Sequence, residues 1–527
     1  AISVIVIGAL LTLGGMGGVR FRSRLFSFNR LGVRKGQHGR RVLVVGTGRS
    51  AVDLARYGSA DGGQSLEVVG FVSPGGGAPS RRLAGLPVLG PMEKVPELVE
   101  RHNVHEIVVA TPDGSSLVRR LVDLCLEVDV RLRILPDATS LFETTAGVQD
   151  VRDLQPADLL PRPAVDTDLQ QVASVVAGRR VLVTGAGGSI GSELVRQVQR
   201  FGAAELVALD HDETHLHDSL LGWSGGVADP ATILCDVRDR ERVMAVFARH
   251  RPEVVFHAAA HKHVPILQAC PEEAVKTNVI GTANVLEAAR IHGAERFVLI
   301  STDKAAEPSS VMGASKRVAE MLAQAAAARH DSCVYSSVRF GNVLGSRGSV
   351  VPTFLEQIRR GGPVTVTDVE MMRYFMTVGE AVELVLQAAA LADGGEVFVL
   401  DMGEPVRIVD LAHRLIRLAG MVPGRDIEVK ITGRRPGEKL SEILSTVPLE
   451  PSNHPKINLA RQGWPGQVTL ADALQLLTDL ADQGKAEEIA EVLGALAGQE
   501  WAPDEVVDLS AAEGLAAALA VPRGAAD

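Results

Sequence analysis

The stretch RRVLVTGAGGSIGSELVRQVQRFG, residues 179–202, decides the fold of this chain. It opens with a short apolar run, continues through a glycine-rich turn and ends with the apolar spacing of a helix. A strand, a glycine turn and a helix in this order begin the dinucleotide-binding half of a Rossmann fold. The stretch therefore predicts an α/β domain built on a parallel sheet.

The glycines of this turn have separate physical roles. Gly185 permits the tight turn, Gly188 lets the backbone approach a pyrophosphate, and Gly191 lets the helix pack closely on the sheet. Ser189 and Ile190 open the helix, where backbone N–H groups can point at a phosphate. These five residues are the predicted pyrophosphate site.

Three later features fit the same cofactor. The strand ELVALD ends at Asp210, near the roughly 20-residue distance expected beyond the turn. A carboxylate there accepts bonds from the adenine ribose and repels a 2'-phosphate, which predicts NAD rather than NADP. In ILCDVRD, Asp236 and Val237 could flank adenine, and in VVFHAAAHKHV the small residues Ala258 and Ala259 leave room for the cofactor.

A weaker start of the same kind lies upstream, in RRVLVVGTGRSAVDLARYG, residues 40–58. Gly46 and Gly48 are present, but Ala51 stands where a third glycine would fall. Alternating strand and helix patterns follow, so a second parallel sheet is predicted. Two interpretations stay open for this domain: a pocket for a nucleotide or nucleotide sugar, or a structural or regulatory relict.

Length and composition set the outer limits. The 527 residues are too many for one ordinary domain, and 46% hydrophobic with 22% charged residues is globular composition. A net charge of -10 disfavours a general nucleic-acid binder. The four cysteines form no C-x-x-C or Cys/His cluster, so we expect buried thiols in a reducing compartment and no metal site.

The first residues predict a membrane attachment. Residues 1–19 form an uncharged run nearly as long as the roughly 20 residues that cross a bilayer. Arginines and a lysine follow it within residues 20–40, which by the positive-inside rule puts the rest of the chain in the cytoplasm. We expect the last of several transmembrane helices here, at the inner membrane.

A second stretch, STDKAAEPSSVMGASK, residues 301–316, has the layout of a dehydrogenase-type site. It follows the apolar strand RFVLI, and open α/β sheets build their sites at the carboxyl ends of strands. A helix should begin near the serines at 309 and 310. Met312 and Lys316 then lie four residues apart on one face of that helix.

From Arg180 to about Trp464 the chain resembles the extended short-chain dehydrogenase/reductase family. The segments HAAAHKHVPILQACPEEAVKTNVIGTANVLEAA, STDKAAEPSSVMGASKR, RFGNVLGSRGSVVP and RRPGEKLSEIL look like its membrane-associated UDP-N-acetylglucosamine 4,6-dehydratases, of the polysaccharide-biosynthesis group. The resemblance implies an NAD-dependent lyase. It would oxidise C4 of a UDP-linked sugar, eliminate water across C5 and C6, and return the hydride to C6, giving a UDP-4-keto-6-deoxy sugar for bacterial surface glycans or glycoproteins.

The resemblance also implies roles for single residues. Lys304 would remove the C5 proton, Asp303 would protonate the departing C6 hydroxyl, and Lys316 would hold the nicotinamide ribose. Most relatives have a proton-transferring tyrosine where this chain has Met312, and a thioether cannot replace it. Either Thr302, with Asp303 or Lys304 behind it, takes the C4 proton, or the domain is an inactive relict. The resemblance further links this methionine with the large membrane-attached type and with retention at C5.

On the substrate side, family positions that contact the diphosphate or uridine match Asn342, Arg435 and Glu438. Lys262 and His263 are predicted near the sugar. We also expect a homo-oligomer.

The predicted domain order follows from these patterns: a membrane helix at 1–19, a basic linker at 20–40, a Rossmann-like domain at 41–140, a connector at 141–178, the NAD-binding catalytic domain with its substrate-binding part at 179–466, and a helical, mobile tail at 467–527. Two rival functions stay open. One is a C4 epimerase acting on the same substrate, which has no need of the adjacent Asp303 and Lys304. The other is a non-catalytic, membrane-docked NAD-binding scaffold, which Met312 supports.

Overall fold

A computed structural model describes most of the chain beyond its first residues. The described residues are 40–57, 66–75, 82–111, 114–125, 128, 130–135, 151–159, 167–221, 230–329, 332–461 and 467–498. The chain divides into two compact units: the first runs to Leu154 and also takes in the short segment Ile416–Val422, and the second comprises the other residues. The boundary after Leu154 lies inside the predicted connector 141–178.

The predicted membrane span 1–19 and nearly all of the basic linker lie outside the described residues, as do residues 499–527 of the tail. Within the described ranges, every helix is too short or too polar to cross a bilayer.

The first unit is built on a seven-stranded sheet with the order β3-β4-β2-β1-β5-β6-β7. Neighbours among β4, β2, β1, β5 and β6 pair in parallel, while β3 and β7 close the edges antiparallel. The predicted parallel sheet is confirmed. Its elements are β1 Arg40–Val45, α1 Arg49–Tyr57, β2 Leu66–Ser73, β3 Arg82–Leu83, β4 Leu86–Pro91, α2 Val95–His102, β5 Glu106–Val109, α3 Gly114–Leu124, β6 Arg131–Ile134 and β7 Arg152–Asp153.

The second unit is built on a nine-stranded sheet with the order β10-β9-β8-β11-β12-β13-β18-β22-β21. The first seven of these strands run parallel, and β22 and β21 extend the sheet antiparallel. The order reverses beside β8, and open α/β sheets bind ligands at such a reversal.

The elements of the second unit alternate as the sequence predicts. Its strands are β8 Arg180–Thr184, β9 Glu205–Asp210, β10 Ala231–Leu234, β11 Val254–His257, β12 Arg296–Ile300, β13 Val334–Arg339, β14 Asn342–Val343, β15 Val364–Val366, β16 Met372–Arg373, β17 Phe375–Met376, β18 Val397–Leu400, β19 Val406–Arg407, β20 Val429–Ile431, β21 Leu449–Pro451 and β22 Ile457–Ala460. Its helices are α4 Leu169–Val176, α5 Ser189–Arg200, α6 Glu213–Leu220, α7 Arg240–His250, α8 Val264–Ala269, α9 Pro271–Ala274, α10 Gly281–Ile291, α11 Val311–Ala328, α12 Val350–Arg359, α13 Val378–Leu391, α14 Ile408–Leu418, α15 Gln467–Asp482 and α16 Ala486–Gly498.

Apolar strands buried on both faces explain the layered core of this unit. Side chains of α4, α5 and α13 cover one face of the sheet, and those of α7, α10 and α11 cover the other. A turn of π-helix, Val275–Ile280, joins α9 to α10. The sheet is therefore packed on both faces, and the side chains of the site follow the ends of its strands.

The helical part of the predicted tail, α15 and α16, packs on this unit. Apolar residues of both helices form one cluster with residues of α8, α9 and α11. The far face of α11 is therefore covered by the end of the described chain.

Candidate functional site

The glycine turn between β8 and α5 is shaped by close backbone approaches. Gly185 has φ +67°, and a Cβ on it would lie 2.6 Å from the Ala259 nitrogen. A Cβ on Gly191 would lie 2.0 Å from the Gly185 carbonyl oxygen. Gly188 caps α5 without a side-chain hydrogen bond, so the first N–H groups of Ser189 and its successors stay available to an anion. This cradle fits a dinucleotide diphosphate.

Asp210 ends β9 beside this turn and is buried. Its Oδ2 accepts a hydrogen bond from the Gly187 nitrogen at 2.8 Å, and its Oδ1 accepts one from the Asp212 nitrogen at 3.0 Å. The carboxylate therefore fastens the second strand to the turn. Its remaining lone pairs suit ribose hydroxyls.

The predicted adenine contacts lie past the ends of β10 and β11. Asp236 pairs with Arg238 at 2.6 Å, and the carbonyl oxygen of the buried Val237 accepts from Asn284 at 3.0 Å. Ala258 and Ala259 follow β11 directly, and Ile190 packs against the core. The structure therefore brings all the predicted cofactor residues of the turn and the first strands to one edge of the sheet, the one formed by the carboxyl ends of the parallel strands.

Sequence reasoning missed the histidine beneath that edge. His257 is fully buried, with Thr184 Oγ1 2.7 Å from its Nδ1 and Thr282 Oγ1 3.0 Å from its Nε2. Thr282 donates to the Asn278 carbonyl oxygen, so it must accept the proton on Nε2. Burial, and next the charge of Lys316, lower the pKa of His257 to about 3. This neutral histidine ties β8 to the helix that starts at Gly281.

Three predicted residues form a hydrogen-bonded group just after β12. Thr302 Oγ1 donates to Asp303 Oδ1 at 2.8 Å, and Lys304 Nζ donates to the same oxygen at 2.9 Å. Lys304 Nζ also donates to Asn342 Oδ1 at 3.2 Å. Asp303 is 1% exposed, and its Oδ2 has no hydrogen-bond donor in the described part of the chain. The Thr302 hydroxyl and the Lys304 amine thus donate to the same carboxylate oxygen of Asp303.

A further carboxylate that sequence reasoning missed completes this group. Glu442 Oε1 lies 4.0 Å from Lys304 Nζ. It belongs to the RRPGEKLSEIL segment, in which the sequence predicts only Arg435 and Glu438 as site residues. The predicted nucleotide-binding loop therefore also reaches the predicted catalytic pair.

A buried ion pair, Glu320–Arg339, supports the backbone next to the hydrogen-bonded group of Thr302, Asp303 and Lys304. Glu320 of α11 accepts two hydrogen bonds from Arg339 of β13, one of them at 2.7 Å, and one from Ser301 at 2.6 Å. Arg317 adds a contact at 3.2 Å. These bonds fix the end of β12 against α11 and so fix the backbone that precedes Thr302.

The two helix residues of the site have different surroundings. Ser310 caps α11 and accepts from the Gly313 nitrogen, as predicted. Met312 is buried in the apolar cluster of α8, α9, α15 and α16 rather than in the polar group. Burial lowers the pKa of Lys316 to about 8, with Glu320 opposing the shift. Lys316 is thus a buried cation close to the carboxyl end of the sheet, while Met312 acts as a packing residue.

The other predicted substrate residues lie on loops. Lys262 Nζ donates to the Arg347 carbonyl oxygen at 2.8 Å, and the Arg347 nitrogen donates to Ser189 Oγ at 3.1 Å. His263, next to Lys262, starts α8. These contacts bring one end of the predicted sugar site to the glycine turn.

Arg435 and Glu438 lie in a turn of the later loop. The Arg435 nitrogen donates to Glu438 Oε2 at 3.1 Å, and the Arg435 side chain is exposed. No hydrogen bond in the described ranges joins either of them to Lys304 or Asp303.

The described residues contain neither a metal-ligand cluster nor a disulfide. The described residues contain no cluster of three or more His, Cys, Asp or Glu side chains placed to hold a metal ion. All four cysteines are free, but only Cys235 and Cys333 are buried, so the expectation of four buried thiols is wrong for Cys125 and Cys270.

Comparison with known proteins places the second unit. A family model described as "Polysaccharide biosynthesis protein" matches residues 181–461. The chain is 42% identical over 440 residues to the probable polysaccharide biosynthesis protein EpsC of Bacillus subtilis, covering 82% of this chain and 73% of that one.

Two more distant relatives carry more specific descriptions. One is a UDP-N-acetylglucosamine 4,6-dehydratase (inverting) of Campylobacter jejuni, 33% identical, covering 51% of this chain and 77% of that one. The other is a UDP-glucose 4-epimerase of Rickettsia rickettsii, also 33% identical, covering 50% and 77%. Identity alone therefore does not separate the two activities.

Proposed function

This chain belongs to the polysaccharide biosynthesis protein family, and we propose that it is an NAD-dependent UDP-N-acetylglucosamine 4,6-dehydratase. The observation that carries the proposal is the group at the end of β12, where Asp303 and Lys304 are held 2.9 Å apart beside Thr302. A dehydratase needs an acid and a base on adjacent carbons of its substrate. An epimerase eliminates no water and therefore does not need this pair of groups.

The cofactor is NAD. The residues that would hold it are the turn at Gly185–Gly191, Asp210 for the adenine ribose, Asp236 with Val237 for adenine, and Lys316 for the nicotinamide ribose. When bound, the nicotinamide would take the C4 hydrogen of the sugar as hydride and give it back at C6. The buried Lys316 would supply positive charge beside it.

Thr302 and Asp303 can replace the missing tyrosine at C4. The Thr302 hydroxyl, already bonded to Asp303 Oδ1, would accept the C4 hydroxyl proton and pass its own proton to that carboxylate. The C4 O–H bond breaks and an O–H bond on Asp303 forms. Asp303 then holds the proton it needs for the next step.

The elimination uses both members of the pair. Neutral Lys304 takes the C5 proton, and Asp303 donates its proton to the C6 hydroxyl, which leaves as water. The ammonium of Lys304 then returns a proton to C5. Since the same amine removes and returns that proton from one side, the proposal includes retention at C5. Every proton is accounted for: the C4 proton leaves in the water, and the C5 proton returns.

The remaining parts of the proposal concern attachment and assembly. We infer that residues 1–19 hold the enzyme at the inner membrane with both units on the cytoplasmic side, that it forms a homo-oligomer, and that its product feeds surface-glycan synthesis. The relative named for polysaccharide biosynthesis supports the last point.

One experiment separates the three functions. The full chain is incubated with NAD and UDP-N-acetylglucosamine, and the sugar is followed by NMR. A new C6 methyl signal supports the dehydratase. A galacto-configured product in its place supports the epimerase, and unchanged substrate on NAD-loaded protein supports the scaffold.

Variants then test the assigned roles. Lys304→Ala and Asp303→Asn should each slow methyl formation at least about 100-fold, because general acid–base groups contribute that much. Lys485→Ala, which removes an exposed lysine paired only loosely with Glu488 at 3.8 Å, is the matched control and should keep the wild-type rate. Full activity in Lys304→Ala would refute the role of Lys304.

A further inference from the structure

Glu442 lies in the loop that follows β20, and neighbouring contacts hold it in place. Lys439 Nζ binds Glu307 at 2.6 Å. The Leu440 carbonyl oxygen accepts from the Met372 nitrogen at 2.8 Å and from Arg373 at 3.1 Å. Glu442 is therefore 6% exposed although its loop is not part of the sheet.

Its carboxylate belongs to the surroundings of one amine. Lys304 Nζ, on a side chain that is 19% exposed, lies 2.9 Å from Asp303 Oδ1, 3.2 Å from Asn342 Oδ1 and 4.0 Å from Glu442 Oε1. An ammonium has three N–H donors. Two of these acceptors lie within hydrogen-bonding distance of the amine, the third lies at ion-pair distance, and two of the three are carboxylates.

The proposed function, on which this inference rests, makes those two carboxylates unequal. When Lys304 takes the C5 proton, Asp303 starts as a neutral acid, because it holds the C4 proton. It cannot then balance the charge that develops on Lys304. We propose that Glu442 is the standing counter-ion of Lys304, a positioning residue that raises the basicity of the amine and stabilises the ammonium formed at C5 deprotonation.

The charges around Glu442 agree with this role. Burial raises the pKa of Glu442, Lys304 lowers it, Asp303 raises it, and Arg373 and Lys439 lower it, with a net rise. Protonation of Glu442 removes the counter-ion. Below this raised pKa the wild type should therefore form the methyl group at the slower rate of an enzyme without the counter-ion, and above it at the full rate.

The test is the pH profile of methyl formation by the full chain with NAD. Glu442→Gln keeps the shape and removes the charge, so the amine becomes a weaker base that is free of its proton at lower pH. We expect a plateau kcat about 10- to 100-fold lower, a rising limb moved to lower pH by about one unit, and KM within about twofold. A profile lowered by one factor at every pH would mean a purely structural role and would overturn the proposal.

A matched pair keeps the test decisive if the glutamine variant folds poorly. Glu442→Asp and Glu442→Asn remove the same methylene and differ only in charge, so the aspartate variant should be at least about tenfold faster. Equal rates contradict the counter-ion. Glu450→Gln, which removes an exposed carboxylate paired with Arg461 at 2.7 Å, is the control and should keep the wild-type profile.

Competitive labelling of amines, read by mass spectrometry on NAD-loaded full chain, tests the coupling without turnover. The pH midpoint for labelling Lys304 should be lower in Glu442→Gln than in wild type, while that of Lys485 stays fixed. An unchanged midpoint at Lys304 overturns the inference. If the midpoint moves but wild type makes no methyl group, the dehydratase proposal fails and the Glu442 contact stands.

Discussion

The two units begin with the same arrangement of strand, glycine turn and helix and differ beyond the first glycine. A Cβ on Gly46, which has φ +133°, would lie 2.2 Å from the Ala110 carbonyl oxygen. A Cβ on Gly185 would meet the chain after β11 in the same way, 2.6 Å from Ala259. In each unit the first glycine is thus required where the first strand passes its neighbour across the reversal of the sheet.

The units differ at the next positions. Gly191 lets α5 approach the turn, but the corresponding Ala51 is fully buried, so α1 packs through a methyl group. Register pairs Val45 with Val72 in the first unit and Thr184 with Leu209 in the second, so Ser73 falls where Asp210 does. A glycine turn alone therefore reports a strand-to-helix connection. The cofactor cradle needs the close helix and the carboxylate as well.

The largest expected effect concerns the buried carboxylates of the two units, Glu320 in the second and Glu106 in the first. Glu320 and Arg339 have fully buried side chains, whereas Glu106, 3% exposed, pairs with an Arg40 that is 48% exposed. Glu320→Gln should cost about 3–5 kcal/mol of stability, because it removes the carboxylate charge that pairs with a buried guanidinium. Glu106→Gln should cost about 1–2 kcal/mol. Hydrogen exchange of peptides from β8–β13 and β1–β6 measures each unit separately.

The same pair predicts a pH dependence. Burial acts to raise the pKa of Glu320, but Arg339 and Arg317 outweigh it, and the net pKa lies below the usual range. Its stabilisation is therefore complete at neutral pH and is lost as the pH falls through the folded-state pKa. Acid should destabilise the second unit of wild type more than that of Glu320→Gln; equal acid sensitivity would contradict the ion pair.

A second prediction compares the glycine turns of the two units. Gly191→Ala forces a Cβ against backbone at 2.0 Å, while a Cβ on Gly48 would meet nothing within 4 Å. The first change should weaken NAD binding about 100-fold, or about 2.7 kcal/mol, because α5 must move off the turn. Gly48→Ala should leave the NAD dissociation constant unchanged. Isothermal titration of both variants decides, and a loss in Gly48→Ala would show NAD bound by the first unit.

Much of the second unit followed from the sequence because its signals are local. The turn at 185–191, Asp210 at a strand end and the Ser310 cap each depend on neighbours within a few residues. Glu442 and the Glu320–Arg339 pair depend on contacts between distant segments, which apolar periodicity does not specify. The docking of α15 and α16 was missed for the same reason: an amphipathic helix reveals its apolar face but not its partner.

A third prediction concerns the end of the second strand in each unit. Asp210→Asn keeps a group of the same shape but loses the charge that repels a 2'-phosphate, and it has one acceptor oxygen for the Gly187 and Asp212 nitrogens instead of two. We expect NAD to bind about tenfold more weakly, or about 1.4 kcal/mol, with a smaller preference over NADP. Ser73→Ala should change neither affinity. An Asp210→Asn variant with the full preference for NAD would remove the carboxylate from cofactor selection.

The smallest expected effect concerns α11 of the second unit, which is covered by the helical pair α15 and α16. The described part of the first unit has no helix covered in this way. Met312 belongs to the apolar cluster that α11 forms with that pair, a cluster that also contains Leu267, Val275 and Leu477. Met312→Leu conserves volume and should change stability by less than about 1.5 kcal/mol and the rate of methyl formation by less than about twofold, because Thr302 and Asp303 handle the C4 proton. Met312→Tyr should not speed the reaction, since its hydroxyl would lie among apolar side chains. Thermal unfolding and methyl NMR measure both variants; a large rate loss in Met312→Leu would return the thioether to the chemistry.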